Sequence, residues 1–166
     1  GISAFGLARQ LSVPQGEAKA YIEAYFERYP GIQSYMEDAK AQCKKTGYVT
    51  TLFGRHIHLP TINDKNGMRR SYAERQAINA PIQGSAADII KRAMIRVPSA
   101  LARAKLDAVM LLQVHDELLF EAPEAQVDDT IAAVKAVMEA AVGPRLSLNV
   151  PLVVDAGVGD NWNEAH

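Results

Sequence analysis

Cysteine is almost missing from this chain, with Cys43 the only one in 166 residues. A single thiol excludes an internal disulfide and a multi-cysteine zinc site, and it fits a reducing compartment. Long apolar runs are missing too. None approaches the roughly 18 residues of a membrane-spanning helix. The first residues, Gly-Ile-Ser-Ala-Phe-Gly, have no basic stretch ahead of an apolar one, so they do not read as a signal peptide. They also lack an initiator Met and read as starting inside a longer protein. There is no glycine-rich phosphate loop, no Ser-His-Asp spacing and no zinc-finger spacing. Internal repeats, low-complexity tracts and linkers are likewise missing.

What is present describes a globular protein. Hydrophobic residues make up 48% and charged residues 22%, an ordinary balance for a soluble domain able to bury a core. The net charge of −1 conceals an asymmetry. Residues 1–115 carry 16 basic and 9 acidic residues, while residues 116–166 carry 2 basic and 10 acidic. A basic front half suits a polyanion, and an acidic back half suits cations or water.

Helical spacing runs through the first 45 residues. Ser3 to Gln10 reads as a short helix. Ser12 is a cap for a second helix, with Pro14 in its first turn, running to about Tyr29. Its apolar positions Ala18, Tyr21, Ile22, Tyr25 and Phe26 predict a core stripe. Pro30 opens a third helix, which Lys44-Lys45-Thr46-Gly47 ends. The β-rich stretch from Tyr48 to Pro60 turns at Gly54-Arg55 and predicts a hairpin. His56 and His58 then share one strand face, with no third metal ligand evident nearby.

From about Met68 to Ala104 the pattern is helical, with a kink or break expected at Pro81. Arg75, Asn79 and Gln83, four apart, form one polar stripe. Six basic residues lie between 69 and 96: Arg69, Arg70, Arg75, Lys91, Arg92 and Arg96. Side chains of this kind suit a nucleic-acid groove, and an exposed helix face accounts for the spacing equally. The stretch from Met110 to Glu121 places His115-Asp116-Glu117 between two apolar runs, each of strand length. Adjacent carboxylates between buried strands are costly unless a cation offsets them, and Mg²⁺ takes one or two carboxylates and leaves room for phosphates. A solvated acidic turn fits the same pattern. A helix follows from Pro123 to about Val142, then a last strand over 151–158. The expected fold is α+β, with helices packed on a small antiparallel sheet made from the 110–121 hairpin and the 151–158 strand. Two stretches make it up, 1–67 (helices and hairpin) and 68–166, joined as one compact unit.

These residues carry a resemblance. Gln113-Val114-His115-Asp116-Glu117 resembles the palm motif of family A DNA polymerases, the bacterial DNA polymerase I type. Thr51-Leu52-Phe53-Gly54-Arg55, the stretch from Ala73 to Asp88, and Gly157-Val158-Gly159-Asp160-Asn161-Trp162 follow in that family's order. The resemblance covers essentially the whole chain and implies the C-terminal part of a polymerase, from the base of the fingers through the palm.

Several roles follow from the resemblance. Asp116 would be a carboxylate of a two-Mg²⁺ site, Glu117 a neighbouring carboxylate with a less direct part, and His115 a residue near the primer terminus. Arg75, Asn79 and Gln83 would face the primer–template. Arg55 would touch DNA from the hairpin, although His56-Ile57-His58 departs from the family's more basic pattern. The implied partners are primer–template DNA, dNTP and an N-terminal part of the polymerase. The implied place is the bacterial cytoplasm, at the nucleoid. The second metal aspartate and the nucleotide-binding helix are not among these residues. The chain alone is therefore expected to be inactive, and its exposed sheet edge to favour self-association. A nucleic-acid-binding module without chemistry, or a metal-dependent phosphohydrolase completed by a partner chain, are the alternatives.

Overall fold

The computed structural model describes residues 2–165. In chain order the elements are α1 (Ala4–Leu11), α2 (Gln15–Arg28), α3 (Pro30–Thr46), β1 (Tyr48–Thr50), β2 (His56–His58), α4 (Gly67–Ala104), β3 (Val109–Val114), β4 (Glu117–Glu121), α5 (Val127–Glu139) and α6 (Trp162–Ala165). The fold is α+β, as expected: mostly helical, with two separate two-stranded antiparallel sheets. By packing, the chain divides within α4 into residues 1–85 and 86–166, whereas the sequence places its division at 67/68.

In the first unit, the core gathers Cys43 of α3, Val49 of β1, Leu59, Ile62, and Ala73 and Ala77 of α4. Alternation in the hairpin explains its docking. Val49 is buried and Ile57 half-buried, while His56 and His58 face solvent. Burial raises the Cys43 thiol above its ordinary pKa, so it stays a small neutral core residue. Lys44 pairs with Glu74 at 2.6 Å. That hydrogen bond holds the Glu74 carboxyl below its ordinary value. The contribution of the pair is complete above the ordinary carboxyl range and is lost as pH falls from there through the lowered value.

The hairpin seats on α4 through two small residues. A Cβ at Gly84 would lie 2.8 Å from Thr51 Cγ2 and 3.0 Å from Ile57 Cδ1, so only glycine admits the hairpin this closely. Ser85, buried, accepts a hydrogen bond from the Leu52 amide at 2.9 Å and donates to the Pro81 carbonyl at 2.5 Å. Arg55 Nη2 donates to the Gly84 carbonyl at 3.0 Å.

In the second unit, Val97 and Leu101 of α4 meet Val134 of α5, and Phe120 of β4 packs against them. The end of α5 is held by two arginines of α4. Arg92 donates to the carbonyls of Ala141 (2.9 Å) and Gly143 (3.1 Å). Arg96 donates to Ala140 (3.1 Å), Ala141 (3.3 Å) and Gly143 (2.7 Å). The guanidinium forks thus hold the carbonyls of the turn that follows α5.

Five sequence expectations are corrected. Residues 151–158 form no strand. No ladder partner exists for the segment among the described residues, so the expected sheet stops at two strands. A Cβ at Gly157 would overlap the backbone of Ala165, so this stretch serves as a bed for α6. The helix does not break at Pro81, since α4 runs through it. Ser12 does not cap α2. It ends α1 in the left-handed conformation, φ 56°. The α2 stripe is only partly core: Tyr21 and Tyr25 are about half exposed, Ile22 and Phe26 are half-buried, and Ala18 is the one fully buried residue of that helix among those described. Finally, the basic residues of 69–96 are not one free face. Arg69 pairs with Asp64 at 3.7 Å, Arg70 donates to the Asp64 carbonyl, and Arg92 and Arg96 hold α5.

Hydrogen bonds from charged groups contribute roughly 1.5–3 kcal/mol each. Arg96→Met is therefore expected to lower stability by about 2 kcal/mol in urea denaturation. A loss below about 0.5 kcal/mol, the range of an ordinary surface change, would show that the clamp carries no weight.

Candidate functional site

The β3–β4 hairpin closes with the shortest kind of loop. Val114 pairs with Glu117, leaving His115 and Asp116 as the two loop residues. Two-residue loops match the right-handed strand twist when their residues adopt positive φ. His115 does so, at φ 50°. Gln113 closes the loop from below, donating from Nε2 to the His115 carbonyl. The ladder shifts register between Met110 and Leu112, a bulge of the kind that re-aims a strand.

Asp116 sits at the tip and is exposed. Its carboxylate has no hydrogen bond or ion pair among the described residues. Glu117 is half-buried at the start of β4 and lines a small cavity with Leu112, Val114, Leu118, Leu119 and Trp162. Successive residues of extended chain point to opposite faces, so the two carboxylates have different surroundings. The expectation of carboxylates wedged between buried strands is corrected. Val109, Leu111 and Leu112 of β3 are 57%, 52% and 41% exposed, and the Asp116 charge stays in water at little cost. No group of three or more His, Cys, Asp or Glu stands together among the described residues.

In the first unit, Arg75, Asn79 and Gln83 lie exposed on α4, opposite the buried Ala73, Ala77 and Ile78. The Arg75 guanidinium lies 5.9 Å from the Tyr72 ring centre. The side chains of Asn79 and Gln83 have no hydrogen-bond partner among the described residues. Arg55 is exposed and joins this region by its bond to Gly84, next to Gln83 in the chain. The stripe and Arg55 thus belong to the first unit, and His115, Asp116 and Glu117 to the second. Sequence reasoning passed over Gln113, Gly84 and Ser85 as supports. A glycine and serine in mid-helix opposite a hairpin were the available signal for the last two.

The α+β chain thus presents an acidic two-residue hairpin loop in its second unit and a polar stripe on α4 in its first. The comparisons make it particular. The family model for DNA polymerase family A matches residues 1–164. DNA polymerase I of Pseudomonas aeruginosa is 54% identical over 166 residues, covering 100% of this chain and 18% of that protein. DNA polymerase I of Rhizobium leguminosarum is 55% identical, covering 100% of this chain and 16% of that protein. Among solved structures, the POL domain of Pol1 from M. smegmatis, in complex with DNA primer-template and dNTP, aligns with a TM-score of 0.93 at 47% identity. That match covers 99% of this chain and 28% of the other. The chain belongs to DNA polymerase family A. It spans less than a fifth of the length of these curated relatives.

The loop geometry generates a test of its own. A left-handed residue other than glycine costs roughly 1–2 kcal/mol, and glycine carries an entropic cost of about 0.5–1 kcal/mol instead. His115→Gly should leave stability unchanged within about 0.5 kcal/mol. His115→Val, β-branched, should lose on the order of 1–3 kcal/mol. Equal urea midpoints for the two variants would contradict the loop conformation.

Proposed function

We propose that the chain is part of a DNA-directed DNA polymerase and that the His115-Asp116-Glu117 loop is its contribution to the reacting centre. The observation that carries the proposal is Asp116. An exposed carboxylate without a protein partner among the described residues tips a tight hairpin, in a chain of DNA polymerase family A. In the reaction, the primer 3′-oxygen displaces pyrophosphate from a dNTP.

The donor set fits Mg²⁺. Asp116 and Glu117 supply hard oxygen donors, and Mg²⁺ takes one or two carboxylates and keeps waters and substrate phosphates as its other ligands. Asp116 would be the main ligand, since it is exposed and unshared. Glu117, half-buried beside Trp162, would support it. When bound, Mg²⁺ lowers the pKa of the attacking hydroxyl and stabilises the charge of phosphoryl transfer.

The other residues bind and orient. Arg75 offers positive charge to phosphate or sugar. Asn79 and Gln83 offer neutral donors and acceptors to the minor groove, where correct pairs of either orientation share acceptors. Arg55 adds positive charge at the hairpin, and His115 borders the primer end. Primer–template DNA and dNTP are the proposed substrates, the remainder of a longer polymerase is the proposed partner, and the bacterial cytoplasm, at the nucleoid, is the proposed location. The exposed apolar row of β3 would favour self-association of the isolated chain. No helix among the described residues is long and apolar enough to cross a membrane. With only two carboxylates together, the chain alone is expected to extend no primer.

In the full-length polymerase, Asp116→Asn should reduce primer extension by orders of magnitude with DNA affinity nearly unchanged, and Glu117→Gln should cost less. Turnover near normal in Asp116→Asn would overturn the assignment, and equal losses would reverse the ranking of the two carboxylates. For the stripe, single-turnover insertion at two salt concentrations separates the roles. Arg75→Ala should weaken DNA binding on all sequences and flatten its salt dependence. Gln83→Ala should slow insertion or alter mismatch extension more than it weakens affinity. Unchanged rates and affinities in the Ala variants of Arg75, Asn79 and Gln83 would return the stripe to ordinary surface.

A further inference from the structure

The β1–β2 hairpin carries three aromatic rings that neither the core nor the proposed reaction uses. Tyr48 faces His58 directly across the ladder, and His56 lies two pairs further along, opposite Thr50. All three side chains leave the sheet on the side away from Val49 and Ile57. Tyr48 and His56 stack with ring centres 4.1 Å apart and planes 18° from parallel. His58 stands across them, 5.5 Å from Tyr48 at 59° and 6.2 Å from His56 at 76°. The result is a flat stack with a ring set at an angle beside it. His56 and His58 are exposed and Tyr48 is half-buried. None of the three side chains has a hydrogen bond or ion pair among the described residues, so the imidazole nitrogens remain available to a ligand.

Cross-strand aromatic pairing stabilises a hairpin by itself, and Tyr48 with His56 accounts for that much. It does not require a third ring, nor ring faces open to water. Two histidines alone also fall short of a closed metal site, and no third ligand joins them among the described residues. A flat ligand fits better. Every nucleobase has a π-face, and stacking on aromatic side chains is tolerant of sequence. In a duplex those faces are covered by neighbouring pairs, so the ligand must be unpaired.

We infer that Tyr48, His56 and His58 form a stacking platform for an unpaired base of single-stranded nucleic acid. The inference rests on the proposed role of the chain in handling DNA, and it assigns the hairpin a contact separate from Asp116 and from the α4 stripe. Ring stacking supplies the contact, and the imidazole N–H groups donate to base or phosphate oxygens at its edge.

The test is an NMR titration of the chain with an eight-residue oligothymidylate, following the imidazole signals of His56 and His58, with a blunt DNA duplex as the second ligand. Saturable shifts of both signals by the oligothymidylate are expected. The double variant His56→Ala/His58→Ala should bind it on the order of tenfold more weakly, with duplex affinity within about twofold of the original. His56→Phe/His58→Phe should keep most of the affinity, since it keeps the rings. Phe variants no better than Ala variants would overturn stacking, as would shifts abolished by a chelator. Duplex binding with unmoved histidine signals would overturn the platform alone. Failure to bind either DNA would overturn both the platform and the DNA-handling role.

Discussion

The two-residue loop at His115-Asp116 is the constraint on which the functional account depends. An antiparallel ladder ends there with Val114 paired to Glu117, so nothing but the loop separates the strands. Two-residue loops of this kind favour a residue at positive φ, and His115 supplies one. Gln113 then satisfies the His115 carbonyl. The outcome is an Asp116 carboxylate held at the tip of a tight loop and exposed to solvent. Rigid placement without desolvation is what a carboxylate needs to wait for a cation, since burial without the cation would be costly.

The rest of the second unit supports that hairpin. Phe120 of β4 anchors it to the cluster of Val97, Leu101 and Val134, and the arginines of α4 hold the far end of α5. The same helix repeats the device in the first unit, where Gly84 and Ser85 admit and fasten the other hairpin. Helix α4 thus spends its small residues and most of its cations on internal contacts. What it leaves outward at 75–83 is Arg75, Asn79 and Gln83, with Ile82 beside them.

Much of this was legible in the sequence. Helical spacing with Pro30 and Gly47 marked α3, and Gly54-Arg55 marked the first hairpin turn. The apolar runs around His115-Asp116-Glu117 marked the second. Periodicity does not reveal what a face packs against. The α2 tyrosines have the spacing of a core stripe, yet the chain supplies little to cover them. Residues 151–158 have the composition of a strand, but a strand exists only with a ladder partner. Pro81 does break hydrogen bonding locally, and the surrounding helix of 38 residues outweighs it. For the site, the residue types and their order were legible, while the solvation of Asp116 was not. It depends on how exposed Val109, Leu111 and Leu112 leave the strand beside it.

Asp116, among the ten acidic residues of the 116–166 stretch, is the one proposed to hold a cation. Paramagnetic broadening by Mn²⁺ of the backbone amide signals of this chain tests it directly. Broadening concentrated at residues 115–118, and removed by Asp116→Asn, is the predicted result. Broadening spread over the acidic surface, or unchanged in Asp116→Asn, would contradict it.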